Sequence, residues 1–194
     1  MTRKVAILIF PEVEVLDFAG PFEIFSVTRL ADGSQPFTVY TVAETADPVA
    51  ARNHLLVTPH YTIHDCPPPD IVVIPGGRGT RALLEHPPIL DWIRRVDASA
   101  ELTTSVCTGS LLLARAGLLD GLRATTHHSA FAELAAIPAP VTIVRDVRWV
   151  DNGRIITSAG VQAGMDMALH VIARLHGDAI ARQTADYIEY RWQS

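Results

Sequence analysis

The sequence has only two cysteines, Cys66 and Cys107, too few for the disulfide framework of a small secreted domain and suited to a reducing compartment. It has no surplus of positive charge. Lys and Arg number 16 against 21 Asp and Glu, a net charge of −5, so the overall balance offers no attraction to nucleic acid or an anionic lipid surface. Its apolar runs all stop short of the ~18 residues that a membrane helix needs. Met1-Thr2-Arg3-Lys4 and the apolar residues 5–10 imitate a signal peptide, but the run is too short and meets Pro11, Glu12 and Glu14. Repeats, linkers and low-complexity segments are missing too. What is left is a cytoplasmic protein that acts on a small molecule, bound neither to nucleic acid nor to a membrane. With 194 residues, 48% of them hydrophobic, the chain is long enough to bury one core without a disulfide or a structural metal, so residues 1–194 are expected to form one domain.

Two runs carry the signature of strands buried on both faces, Val5-Ala6-Ile7-Leu8-Ile9-Phe10 and Ile71-Val72-Val73-Ile74, the second stopping abruptly at Pro75-Gly76-Gly77. Residues 37–42 and 102–106 read as further strands, and 55–63 as a shorter one near an edge. Helices are expected between them. One is capped by Asp17, with Pro21 in its first turn, and fades by Gly33. Another spans Leu83 to Ile93 with a break at Pro87-Pro88, and a third follows Cys107 and closes at Gly117. Residues 141–156 contain a hairpin turn at Asp151-Asn152-Gly153. Two amphipathic helices, over 164–175 and 179–190, complete the chain. Strands alternating with helices predict an α/β fold, a doubly wound, mostly parallel flavodoxin-like sheet with helices on both faces, whose ligands bind beyond the carboxyl ends of the strands.

Three loops leave such strand ends: the one carrying Asp17, the Gly76-Gly77 turn, and the junction Ser105-Val106-Cys107-Thr108-Gly109-Ser110. A residue at a sharp strand-to-helix turn is lifted clear of the sheet, and small neighbours permit the geometry. The helix start after Cys107 favours a thiolate, which predicts a depressed pKa for that thiol. From position alone, a buried structural cysteine fits equally well.

At this junction the chain resembles the ThiJ/PfpI superfamily, relatives of the class I glutamine amidotransferases. The likeness runs from Lys4 to about Tyr190 through Phe10-Pro11-Glu12-Val13 with Leu16-Asp17, Ile74-Pro75-Gly76-Gly77, Thr104 to Ser110, Ala116-Gly117-Leu118-Leu119-Asp120-Gly121 and Ala124-Thr125-Thr126-His127. Within the superfamily it is most similar to isonitrile hydratases and to the ligand-binding halves of certain AraC-type regulators. The regulators carry a C-terminal helix-turn-helix region, for which the chain leaves no room after Ser194. The resemblance implies a homodimer, Cys107 as nucleophile, Asp17 as acidic partner, a hydroxyl at Thr108 and a pocket histidine at His127. It also implies hydration of small isonitriles to N-substituted formamides through a thioimidate on Cys107. Backbone N–H groups around Gly76, Gly77 and Thr108 are expected to polarise the adduct, with no metal and no cofactor. Glyoxalase-like conversion of 2-oxoaldehydes and a non-enzymatic redox or ligand-sensing module are the alternatives. Three departures matter. Peptidase-like members place a histidine directly after the nucleophile, where this chain has Thr108. His128 stands where relatives usually carry an aromatic residue, which predicts a more polar pocket, and Gln162 stands where they often have Thr.

Other groupings offer less. Gly76-Gly77-Arg78-Gly79 lacks both the dinucleotide fingerprint and the phosphate-loop lysine, and reads as a tight turn. His60, His64 and Cys66 are spread over β-type sequence around Pro59, which speaks against a metal site. Cys66, ahead of three prolines, reads as a loop thiol.

Overall fold

The computed structural model describes residues 2–192. In chain order its elements are β1 (Arg3–Leu8), α1 (Val15–Val27), β2 (Phe37–Ala43), β3 (Val49–Ala50), β4 (Leu56–Val57), β5 (Tyr61–Thr62), β6 (Ile71–Ile74), α2 (Thr80–Leu83) and α3 (Pro87–Asp97). There follow β7 (Leu102–Ser105), α4 (Gly109–Arg115), β8 (Arg123–Ala124), α5 (Phe131–Ala136), β9 (Thr142–Ile143), β10 (Trp149–Asp151), β11 (Ile155–Ser158), α6 (Ala163–His176) and α7 (Asp178–Tyr187). Seven strands form one sheet in the order β10-β11-β7-β6-β1-β2-β5, in which only the β10–β11 pair is antiparallel. This is the mostly parallel sheet that the alternation predicts.

Burial follows from position in that sheet. Strands β1 and β6 lie side by side at its centre, and Val5, Ile7, Ile71 and Val73 have no exposed surface. A strand covered on both faces has no polar side to present, which is why its sequence runs apolar without alternation. α1 packs against α6, and α6 against α7, and Ile24 of α1 with Met167, Leu169 and Ile172 of α6 are wholly buried. Among the described residues, no helix is long and apolar enough to cross a membrane.

Several local expectations are corrected. Asp17 does not cap α1; Glu14 holds the cap position, Asp17 is the third helical residue, and Pro21 lies inside the helix rather than in its first turn. The expected strand over 55–63 is two short ones, interrupted at Pro59. Pro87 and Pro88 do break the helical stretch after Thr80, and they do so by opening α3, where a missing N–H costs nothing. In the 141–156 stretch only β10 and β11 form the hairpin, turning through Gly153 at φ 88°, while β9 pairs with β8 in a separate parallel two-stranded sheet.

The arrangement has one consequence for chemistry. Strands β7, β6 and β1 are neighbours, so the loops that leave their carboxyl ends emerge side by side, next to the point where the chain switches from one half of the sheet to the other.

Candidate active site

Cys107 sits between β7 and α4 at φ 56°, in the left-handed region that a non-glycine residue rarely adopts. The turn is held from several sides. Its N–H donates to the Ala159 carbonyl (3.1 Å), and its carbonyl accepts from the Thr126 hydroxyl (2.9 Å) and the Ser110 hydroxyl (3.1 Å). These bonds over-determine a strained conformation and present the sulfur to the strand ends.

Asp17 reaches the same point from α1 and is wholly buried. Its Oδ2 accepts from the Gly76 N–H at 3.0 Å, its Oδ1 has no hydrogen-bond partner among the described residues, and the carboxyl lies close enough to the Cys107 thiol for each to shift the other's proton affinity. Gly76 makes the approach possible. A Cβ there would lie 2.5 Å from Thr108 N, 2.7 Å from Thr108 Oγ1 and 2.9 Å from Asp17 Oδ2, so any side chain would push the three apart. Gly77, at φ 130°, forms a bridge to Val13 that ties this turn to the loop before α1.

The electrostatics differ from the sequence expectation. Burial pushes the Cys107 thiol up to about 12, and the Asp17 charge adds to the rise, while the Thr108 N–H draws it down in part. A thiolate at the helix start is therefore not favoured by default, because desolvation and a neighbouring carboxylate outweigh the few N–H groups of α4, a helix of only seven residues. The Asp17 carboxyl is pushed up to about 7, first by burial and then by the charge of Glu14, with the Gly76 N–H opposing. Of the two protons the pair can hold, the first leaves near pH 7 and the second is kept well into the alkaline range.

The Thr108 hydroxyl that the resemblance implies is tied into the Gly77 turn. It accepts from the Gly77 N–H (3.0 Å) and lies 3.2 Å from both the Gly77 carbonyl and the Thr80 hydroxyl. The Gly77 N–H is thus engaged by Thr108, and the Gly76 N–H by Asp17. Of the expected backbone donors, it is the Thr108 N–H that faces the sulfur. His127 hydrogen-bonds within its own turn, Nδ1 lying 2.8 Å from the Ser129 hydroxyl, and its ring lies against Gly160 and beside His128, with centroids 4.1 Å apart. Burial, helped by the nearby His128 and Arg81, lowers its pKa. His127 and His128 line a cavity of about 370 Å3 next to the elbow, shared with Thr125, Thr126, Arg148 and Ala159.

Sequence reasoning missed three contributors. Thr80 donates to the Gly77 carbonyl (2.8 Å), and Arg81 donates to the same carbonyl (3.0 Å) while pairing bidentately with Glu133 (2.7 and 2.8 Å), which fixes the turn that holds Thr108. These two were hidden in what reads as the end of a glycine turn. Ala159 comes from the loop after β11, the strand beside β7. No local signal marks it, since a backbone group can serve from any residue type.

Elsewhere, Cys66 lies at the other end of the sheet, accepting a hydrogen bond from the Trp92 indole at 3.4 Å beside a cavity of about 400 Å3. His60 Nδ1 accepts the Thr41 N–H at 3.1 Å, in keeping with a structural role. Among the described residues, no group of three or more His, Cys, Asp or Glu is arranged to hold a metal ion.

Comparison with known proteins agrees with this architecture. The chain is 38% identical over 193 residues to an isonitrile hydratase of Pseudomonas putida, covering 98% of this chain and 79% of that protein. It is 29% identical over 187 residues to the HTH-type transcriptional regulator CdhR of Pseudomonas aeruginosa, covering 96% of this chain but only 54% of the regulator. Among solved structures, a ThiJ/PfpI family protein from Pseudomonas syringae superposes with a TM-score of 0.88 at 33% identity, over 100% of this chain and 77% of that one. Drosophila melanogaster DJ-1beta, at 21% identity and a TM-score of 0.84 over 99% of this chain and 100% of that one, shares the fold. The model of the DJ-1/PfpI family matches residues 3–174, a span that takes in the strand-end loops, the elbow and most of α6, and the chain therefore belongs to the DJ-1/PfpI family.

Proposed function

We propose that the chain is an enzyme that hydrates small isonitriles to N-substituted formamides, with Cys107 as nucleophile and Asp17 as the group that moves the protons. The observation that carries this reading is the approach of a buried carboxyl to a thiol raised on a strained elbow, with the carboxyl's pKa pushed to about 7. A carboxyl poised near neutrality both accepts and delivers protons.

In the first step the Asp17 carboxylate takes the thiol proton as sulfur attacks the terminal carbon, then gives that proton to the carbon, leaving a thioimidate on Cys107. In the second, the carboxylate withdraws a proton from water as the hydroxyl adds to the thioimidate carbon, and the nitrogen receives that proton. Collapse breaks the carbon–sulfur bond, forms the formamide carbonyl and returns the hydroxyl proton to sulfur. The Thr108 N–H stabilises charge on the sulfur as it attacks and leaves. No step calls for a metal, so chelator is not expected to inhibit.

The reading is tested by incubating purified protein with cyclohexyl isocyanide and measuring N-cyclohexylformamide, with methylglyoxal as the competing substrate. Isonitrile is expected to be the better substrate by kcat/KM, and methylglyoxal turnover without isonitrile turnover would replace hydration with glyoxalase-like chemistry. The similarity to CdhR over nearly the whole chain supports a second reading, a ligand-sensing module. That reading requires a bound ligand with no turnover of either compound. A homodimer in a reducing compartment accompanies the proposal, to be checked by sedimentation equilibrium.

Two further results are expected. The active form is the pair that has lost one proton, so kcat/KM should rise with pH through about 7 and then stay level toward alkaline pH, falling about tenfold per unit on the acid side. A profile flat from pH 5 to 8 would remove Asp17 from the rate-determining chemistry. Thr108→Val leaves the Gly77 N–H buried without its partner, a cost of about 1–3 kcal/mol. It should lower the melting temperature by several degrees and slow turnover roughly ten- to a hundredfold through a looser elbow, both read on one preparation.

A further inference from the structure

The cavity beside the elbow contains more polar machinery than the proposed reaction uses. It adjoins the elbow from the backbone side: Cys107 is not in its wall, but two residues that are, Thr126 and Ala159, hydrogen-bond the Cys107 backbone. Thr125, also in its wall, is fully buried, and its hydroxyl has no hydrogen-bond partner among the described residues; its N–H is taken by Thr157. Arg148, just ahead of β10, lines it too; its side chain is partly exposed, but its Nε is buried and has no hydrogen-bond partner among the described residues. The guanidinium pairs with Asp166, a buried carboxylate at the start of α6, which also accepts the Tyr190 hydroxyl at 3.0 Å. Two buried donors with no answering group among the described residues cost free energy unless a ligand answers them.

Resting on the hydratase reading, we propose that this cavity receives the remote half of the substrate and reads a neutral carbonyl there. The favoured substrates are then isonitriles with an ester or amide carbonyl a few atoms from the isocyano carbon, in preference to plain hydrocarbon ones. The Thr125 hydroxyl and the Arg148 Nε–H donate to that oxygen, and Phe131 and Val147 supply apolar wall. A carboxylate is a poorer fit. The Arg148 charge is already matched by Asp166, and Asp146 stands exposed at the cavity rim.

The test separates binding from turnover. Calorimetry measures the affinity of N-formylglycine methyl ester against N-butylformamide, and against N-formylglycine as the carboxylate. Kinetics compares kcat/KM for methyl isocyanoacetate and n-butyl isocyanide. Wild type should favour the ester at least about tenfold in both, since two donors answer the carbonyl and one of them belongs to a charged guanidinium. The preference should collapse toward one in Thr125→Val, which keeps the shape, and in Arg148→Lys, which keeps the pairing charge for Asp166 but removes the Nε–H. If Arg148→Lys fails to fold, Thr125→Val decides. Equal affinity of the ester and butyl compounds in wild type, a preference that survives in the folded variants, or tighter binding of the carboxylate would overturn the proposal. Selective ester binding without turnover of either isonitrile would keep the subsite and remove the hydratase reading. Turnover of both isonitriles with equal binding would keep the hydratase reading and remove the subsite.

Discussion

Cys107→Ala is expected to reduce isonitrile turnover to the uncatalysed background while moving the melting temperature by no more than a few degrees. The chemistry disappears because no other thiol can substitute: Cys66, at the opposite end of the sheet, is held by Trp92. The fold persists because alanine keeps the backbone bonds to Ala159, Thr126 and Ser110 that define the elbow, and the residue removed is a small, polarisable side chain. The backbone strain at φ 56° is the same for alanine as for cysteine, so it adds nothing to the difference. Mass spectrometry adds a positive sign of the intermediate, since wild type quenched during turnover should carry the isonitrile mass on Cys107 and the variant should not. Equal turnover in the two proteins would end the nucleophile assignment.

Asp17→Asn is expected to change activity and stability in opposite directions. Turnover should fall by about 10²–10⁴, because an amide neither takes the thiol proton nor activates water. Stability at pH 8 should rise. The folded-state pKa of about 7 lies above the ordinary carboxylate value, so the folded chain holds this proton more tightly than the unfolded one. The resulting stabilisation is complete at acid pH, below about 4, and is lost as pH climbs through about 7, leaving a buried charge at pH 8. A neutral amide removes that penalty, worth roughly 2–4 kcal/mol, or about 5–10 °C for a chain of this size. Melting curves from pH 4 to 8 check it: wild type should lose stability relative to the variant across this window, and parallel curves would mean that Asp17 carries no folding penalty. A purely structural aspartate would lose stability on substitution, so the combination of lost rate and gained stability is specific to the proposed role.

The paired behaviour of Asp17 and Cys107 explains why the thiol is not activated in the way its position ahead of a helix predicts. A cysteine ahead of a helix is a local pattern, and the expected effect of the helix start is local as well. The opposing effects are burial and the charge of Asp17 on α1, which folding brings to the thiol from far away in the chain. Ala159 acts through its backbone C=O group, which every residue owns, so no composition or spacing identifies it. Thr108 is similar: its position was visible, but the choice of Gly77 and Thr80 as hydroxyl partners depends on how closely the β6 and β7 loops approach.

By itself the sequence determined the two central buried strands, the first displaced to Arg3–Leu8 from the expected 5–10 and the second at 71–74, the strand-to-turn junction at Cys107, the helix breaks at Pro87 and Gly117, and hence a doubly wound α/β sheet with its candidate loops at one end. These follow from short-range periodicity and backbone restriction, which are written residue by residue. Only the tertiary structure decided that β7, β6 and β1 are neighbours, that Asp17 turns inward from the body of a helix rather than capping it, and that its carboxyl lies close to the thiol. It also decided that Arg148 is pinned by Asp166 at the edge of the adjoining cavity. Proton affinity and hydrogen-bond choice depend on distance and on exclusion of water, and both are set by packing between segments that lie tens of residues apart in the chain.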